Sequence, residues 1–435
     1  MSSPQSDDSQ IRTAVQQIER AFAAGQRAEA DRLLAGVQSV AGEHPLVLYA
    51  AGVQALHDGD ARMARERLER AVAQDNTSPA LWVNLATAFR MLELRDEEMR
   101  CLERALAIEP RHLFALLQMG ALLDLQGRPR AAAGVYRRAL ATIGPGAQLP
   151  QSLKPAIERA AAAVRDNNVA LEAFLGERLR DLRARYAGSA HERFDHCLDA
   201  VLGKRRFYVP QPTFMHFPHL PTYEFYPRED FPWLTEIEAA TAEIRAEFER
   251  VFAEDQDRME PYVAYPEGVP LDQWQELNHS RRWSAFYLWR EGTPLPQHLA
   301  RCPRTAALLE KTPRVDVPEH GPNAFFSILD AHSHIPPHTG VTNTRLTVHV
   351  PLVLPGRCTF RVGDDKREWR LGQAWVFDDT IEHEAWNDSD VPRAVLIFDI
   401  WNPYLTEAER ALVRAATAAI GDYYRGQAPA IGHAP

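Results

Sequence analysis

His338 and His383, with Arg393 ten residues after the second, are the side chains whose types and spacing could do chemistry. They stand in Pro336-Pro337-His338-Thr339-Gly340, Glu382-His383-Glu384-Ala385-Trp386 and Pro392-Arg393-Ala394-Val395. Neutral imidazole is a good ligand for ferrous iron, and guanidinium is a planar fork that matches a carboxylate through two parallel hydrogen bonds. If both imidazoles reach one metal, the arginine holds an acidic co-substrate beside it. A lone histidine near a strand is more often a satisfied polar group, and sixteen histidines make chance pairs easy to find. The surrounding elements must therefore decide.

Around the pair the chain alternates in short runs: 345–352, 358–362, 374–377 and 394–399. Their period of two is that of half-buried strands, with breaks at Pro355-Gly356, Gly363-Asp364-Asp365 and Asn387-Asp388-Ser389-Asp390. Closely spaced strands with such turns predict a double-sheet jelly roll. The turn-rich stretch from Asn387 to Pro392 puts His383 and Arg393 on neighbouring strands of one hairpin, both able to face the interior. His338 enters from an earlier loop.

At these residues the chain resembles the aspartyl/asparaginyl β-hydroxylase family of iron(II)- and 2-oxoglutarate-dependent oxygenases. The resemblance runs from about Trp283 to Leu405. It includes Trp283-Ser284-Ala285-Phe286-Tyr287-Leu288-Trp289, Leu308-Leu309-Glu310-Lys311, Phe326-Ser327-Ile328, His338 through Leu346, Phe377-Asp378-Asp379 and Asp399-Ile400-Trp401-Asn402-Pro403. It implies a double-stranded β-helix of the jelly-roll or cupin-like kind. His338 and His383 would be the protein ligands to iron, and Arg393 would bind the distal carboxylate of 2-oxoglutarate. Ser327, His349 and Trp283 match family positions near the co-substrate. The implied reaction uses O2, decarboxylates 2-oxoglutarate and hydroxylates an unactivated carbon, and no acid/base pair is required.

The usual facial triad adds a carboxylate, often two residues after the first histidine, where this chain has Gly340. The family manages with two histidines, so water is expected at the vacant position. Asp378, Asp379, Glu382 and Glu384 are nearby acids that orient a ligand or support the strand end without binding metal. Two departures stand out. Animal members carry an arginine where this chain has Thr347, with Arg345 two residues earlier, and a cysteine pair where only Cys302 occurs.

The N-terminal third follows another period. Ala71, Ala105 and Ala139 recur at intervals of 34, as do Gly52, Ala86 and Gly120, while Gly59 and Gly127 are separated by twice that interval. Period and small-residue positions look like tetratricopeptide repeats, in which stacked helix pairs close a core that no single pair can form. Repeats are expected at about 45–78, 79–112 and 113–146, with 10–42 as a degenerate first pair. They serve either as a rigid spacer or dimerisation arm, or as a concave surface that captures a peptide or protein substrate.

The expected fold is α+β and multidomain: a disordered N-terminus at 1–9, an all-α repeat solenoid at 10–146, a helical linker at 147–200 whose charges mark a solvated face, the catalytic domain at 201–420, and a tail at 421–435. Proline density from Tyr208 to Pro221 excludes a continuous helix and predicts an extended strap on the barrel, with 234–254 an amphipathic helix supporting it. His216 and His219 within the strap lack the acids or cysteines of a metal site. The chain has 435 residues, 45% of them hydrophobic, and a net charge of −10, which argues against a broad nucleic-acid surface. Four scattered cysteines show neither zinc spacing nor a disulfide framework, and no apolar run spans a membrane or forms a signal-peptide core. A cytoplasmic protein is expected. Three functions remain open: a hydroxylase of an aspartyl or asparaginyl β-carbon in a peptide or protein; the same chemistry on a free amino acid, a biosynthetic peptide or a lipid acyl chain; or a non-enzymatic repeat adaptor with an inactive barrel.

Overall fold

The computed structural model describes residues 4–144, 146–188, 190–317 and 319–425. The chain divides between Leu198 and Asp199 into two compact units, one helical and one built on β-sheets.

The helical unit begins with α1 (Pro4–Ala23), α2 (Arg27–Ala41), α3 (Pro45–His57) and α4 (Ala61–Gln74). It continues with α5 (Pro79–Met91), α6 (Arg95–Ile108), α7 (Leu113–Leu125) and α8 (Pro129–Leu140). Each consecutive pair is one repeat, and the alanines at 71, 86, 105 and 139 are fully buried where the helices cross. The need for small residues is explicit at two crossings. A Cβ on Gly52 would lie 2.5 Å from Leu68, and one on Gly120 would lie 2.3 Å from the Tyr136 ring. The turn inside each pair needs a left-handed residue, at φ +71° for Gly25, +77° for Gly59 and +70° for Gly127. In the third pair Glu93 takes that position at φ +59°, so four turns repeat every 34 residues and the first pair is a full member.

Two expected boundaries change here. Residues 4–9, expected to be disordered, form the first turns of α1, where Pro4 needs no partner for its missing N–H and no helix breaker follows until Gly25; residues 1–3 of that expectation lie outside the described residues. The expected linker is not free along its length. Its long helix α9 (Lys154–Arg185) packs Ala160, with Ala156, Ile157, Ala163 and Val164, against α7 and α8, closing the apolar end of the repeat stack. The later half of α9 and α10 (Glu192–Val201) bury no residue fully.

In the second unit α11 (Leu234–Ala239) and α12 (Thr241–Glu254) divide the expected 234–254 helix at Ala240. There follow β1 (Glu260–Pro261), β2 (Trp283–Arg290), β3 (Thr293–Pro294), α13 (Pro296–Leu299), α14 (Pro303–Leu309), β4 (Ala324–Leu329), β5 (Ser333–His338) and β6 (Arg345–Val353). The unit ends with β7 (Cys358–Val362), β8 (Asp365–Glu368), β9 (Trp375–Phe377), β10 (His383–Asn387), β11 (Arg393–Trp401) and α15 (Glu407–Tyr424). Helix α15 runs four residues into the expected tail, and its start is fixed by a reciprocal cap between Thr406 and Glu409; residues 426–435 lie outside the described ones.

One antiparallel sheet has the order β1-β2-β4-β11-β6-β9, with β3 on β2, and the other is β5-β10-β7-β8. Their inner faces share one core, in which Trp283, Leu329, Phe377 and Val395 meet Ile335, Phe360, Val362 and Ala385. The larger sheet buries its outer face too, under Phe231, Leu234, Ile244 and Phe248. This is why β11 is buried at nearly every position, whereas β7 and β10 keep the alternation of a half-exposed sheet. The antiparallel sandwich is the expected fold class. The expected hairpin of His383 and Arg393 is not formed: β10 and β11 lie in different sheets. Asn387 turns the chain across the sandwich, its amide donating to Leu329 O at 3.0 Å, Asp330 O at 3.0 Å and Val391 O at 2.9 Å.

Candidate active site

His338 is the last residue of β5, not part of a loop, and pairs directly with His383 at the start of β10. Prolines 336 and 337 concealed that strand, yet β5 is a sheet edge, where the missing N–H groups cost nothing. The two imidazole centroids are 4.0 Å apart. His338 Nδ1 meets Pro336 O at 2.8 Å and His383 Nδ1 meets Ile381 O at 3.0 Å. A carbonyl can only accept, so both Nδ1 atoms carry the proton and each Nε2 keeps its lone pair. Burial, then the neighbouring His383, holds His338 well below the ordinary histidine range, and burial brings His383 down to about 4. Both rings are therefore neutral near pH 7, the form that binds metal.

Arg393 opens β11 on the facing sheet and is 1% exposed. Its guanidinium lies 4.6 Å above the Trp369 ring, and its Nε and Nη1 have no hydrogen-bond partner. Burial pulls it down to about 10. A buried cation with unmet donors is costly unless an anion completes it. His349, on β6 beside β11, is likewise neutralised by burial and by Arg393, and its Nδ1 is unpaired. Ser327 accepts from the Trp283 indole at 3.1 Å, leaving its own hydroxyl proton to donate. Trp283 in turn stacks on Tyr262 at 4.0 Å. All six singled-out residues, His338, His383, Arg393, His349, Ser327 and Trp283, line one cavity of about 460 Å³.

The site also uses residues that sequence reasoning passed over or left as support. A Cβ on Gly340 would sit 2.3 Å from the Asp379 carboxyl carbon, so Asp379 fills the space a side chain at 340 would need. Among the described residues no group of three or more His, Cys, Asp or Glu is placed to hold a metal. Burial raises Asp379 above the usual carboxylate range, opposed by Arg345 and by the Thr347 hydroxyl, which donates to its Oδ2 at 3.3 Å. Arg345 and Thr347 both line the cavity, and Arg345 is held by Asp399 at 2.7 Å. Asp378 takes a local role, accepting from Thr380 N at 3.0 Å and Thr380 Oγ1 at 2.6 Å. The strap runs along 340–343, with Thr213 N on Gly340 O and Phe214 N on Val341 O, and brings Phe214 and Met215 to the cavity. Only the proline-rich composition announced it.

Residues 238–403 match the aspartyl/asparaginyl beta-hydroxylase family. The human aspartyl/asparaginyl beta-hydroxylase is 33% identical over 180 residues, 41% of this chain and 24% of that protein. The ornithine lipid ester-linked acyl 2-hydroxylase of Rhizobium tropici is 33% identical over 186 residues, 42% of this chain and 62% of that one. An aspartate beta-hydroxylase domain-containing protein 2 from Xenopus tropicalis is 30% identical over 206 residues, 46% and 53% of the two chains. The match thus spans less than two thirds of each relative, and it holds His338, His383 and Arg393 within the hydroxylase-like segment. A solved tetratricopeptide-repeat protein of Thermus thermophilus overlaps 41% of this chain and 97% of its own, at 21% identity and TM-score 0.32. The repeat assignment rests on the 34-residue spacing of helices and left-handed turns.

Proposed function

We propose that the chain is an iron(II)- and 2-oxoglutarate-dependent dioxygenase that hydroxylates an unactivated carbon, the β-carbon of an aspartyl or asparaginyl residue in a peptide or protein. The observation that carries this reading is the pairing of two neutral imidazoles, whose Nδ1 atoms donate to backbone carbonyls and leave each Nε2 its lone pair, with a buried guanidinium whose Nε and Nη1 are unpaired. The residues fit the group. His338 and His383 would hold iron, Arg393 the distal carboxylate of 2-oxoglutarate, and His349 and Ser327 would donate to it. Iron, 2-oxoglutarate and O2 together would supply the insertion of one oxygen atom into a C–H bond, with release of succinate and carbon dioxide.

The protein's own part is positional. Backbone carbonyls at Pro336 and Ile381 fix the tautomer and plane of each imidazole, so both would offer Nε2 to a metal. The stacked Trp283, Tyr262 and Trp274 rings flank His338, with Trp274 edge-on to its imidazole at 5.1 Å. No side chain has to move a proton. Asp379, packed over Gly340, would orient a water beside the metal. In the helical unit, Val72, Trp82, Leu85 and Phe89 line a groove in which Arg65 lies over Phe89 at 5.5 Å and Arg104 over Trp82 at 5.6 Å. That aromatic surface, which Glu69, Glu97 and Glu103 share with Arg65, Arg100 and Arg104, is suited to capture a polypeptide substrate, and a net charge of −10 disfavours nucleic acid.

Succinate release tests the reading. The purified chain, given ferrous iron, 2-oxoglutarate and air, is expected to form succinate even without an acceptor, through uncoupled turnover. No succinate, in the absence or presence of a cell lysate, would contradict it.

A further inference from the structure

Helix α15 carries its arginines toward its own domain and its apolar residues away from it. Its buried anchors are Val413 and Thr417, which also line the cavity. Arg414 donates to both Asp316 carboxylate oxygens, at 2.7 and 2.6 Å, and Arg410 donates to Asn402 O at 3.3 Å. The outward face is left to Ala408, Leu412, Ala415, Ala416, Ala419 and Tyr423, all exposed, with Leu412 at 69% and Tyr423 at 73%. On a helix of 3.6 residues per turn these six fall in one arc of about 100°, and none of Glu407, Glu409, Arg410, Arg414 or Asp422 lies within it. A surface helix ordinarily gives that arc to charged and polar residues, so an uncharged one marks a docking face.

The order of those residues selects the occupant. Ala408, Leu412, Ala415 and Ala419 follow the alternating four-and-three spacing of a helix-pairing seam. When a second copy of the helix lies antiparallel, about a two-fold axis midway between Ala415 and Ala416, Leu412 meets Ala419, Tyr423 meets Ala408 and Ala415 meets Ala416. The symmetry repeats each pair. Both large side chains then face an alanine, and the alanines let the two backbones approach closely. Parallel pairing would instead set Leu412 on Leu412 and Tyr423 on Tyr423. A lipid surface is disfavoured, because alanine adds little apolar area, no lysine or arginine stands on this face to meet anionic headgroups, and the chain's net charge is −10.

We infer that the outer face of α15 is a self-association surface, on which a second copy of this chain docks its own α15 antiparallel. The pairing places one wall helix of each cavity at the two-fold axis. The helix has 18 residues and is about 27 Å long, so the contact lies at the small end of specific interfaces. The dimer is therefore reversible and concentration-dependent, with a dissociation constant in the micromolar range.

Sedimentation velocity of the full chain, from about 1 to about 200 µM, is expected to show a monomer giving way to a dimer. Leu412 and Ala419 are exposed in the single chain, so both can be changed without disturbing its core. Leu412→Glu is expected to raise the dissociation constant roughly tenfold or more. Adding Ala419→Lys to that same chain is expected to recover roughly threefold of the loss, because the two positions meet across the axis. A monomer at every concentration overturns the inference, as does a dimer that Leu412→Glu leaves intact. A dimer lost in Leu412→Glu and not recovered by Ala419→Lys overturns the antiparallel pairing. Flotation of a monomeric chain with phosphatidylcholine vesicles, abolished by Leu412→Glu, would assign the face to a lipid surface and overturn it as well.

Discussion

Arg393 is a buried cation with unmet donors, and if it binds the co-substrate as proposed its removal has effects of opposite sign. Replacing it with methionine removes a buried charge whose Nε and Nη1 are unpaired, and the cofactor-free chain is expected to melt at a higher temperature. The same change weakens 2-oxoglutarate binding by roughly 30-fold or more, the cost of deleting one partner of a buried charged pair. Anaerobic calorimetry of both variants checks this, and equal affinity would contradict the role. The histidines give a pH dependence. His383 titrates near 6.5 when unfolded and is brought to about 4 in the fold, so the unfolded chain binds the proton first as pH falls. Its stability contribution is intact above pH 6.5 and is lost toward pH 4, about 2 kcal/mol of it by pH 5. His383→Gln is expected to reduce the slope of stability against pH between 7.5 and 5 by that amount in denaturant melts. That these side chains gather was legible in sequence from residue type and local text, and the structure brings them to one cavity. The packing of Asp379 over Gly340 was not, since nothing along the chain says that residues 340 and 379 touch.

At the scale of elements, the strands were legible where one face meets solvent, as in β7 and β10, and less so where both faces are covered. Edge strand β5 was hidden by its prolines, and the crossing from β10 to β11 looked like a hairpin because turn residues serve either connection. The repeats were plainer, since the 34-residue period writes small residues and left-handed turns into the text. That period marks Glu93 as strained. Glu93→Gly, at φ +59°, is expected to stabilise the helical unit by about 1 kcal/mol. Gly120→Ala, which drives a Cβ to 2.3 Å from Tyr136, should destabilise it by about 1–3 kcal/mol. Denaturant titrations followed by helical circular dichroism distinguish the two signs.

The whole molecule is two units with separate cores, one closed by α9 and the other shared between two sheets and their covering helices. Calorimetry is expected to show two unfolding transitions, and a chain starting at Ala190 to retain the second transition together with wild-type 2-oxoglutarate affinity. If the repeats capture polypeptides, that truncation loses oxidation of proteins in a lysate but keeps oxidation of short peptides. Among the described residues no helix is long and apolar enough to cross a membrane. The central claim is that His338 and His383 hold iron while Arg393 holds the co-substrate, and anaerobic titration of the full chain with ferrous iron and 2-oxoglutarate tests it most directly. A visible charge-transfer band saturating at one iron per chain, absent in His383→Ala, is the predicted result; no band in the wild-type chain, or an unchanged band in that variant, would contradict the account.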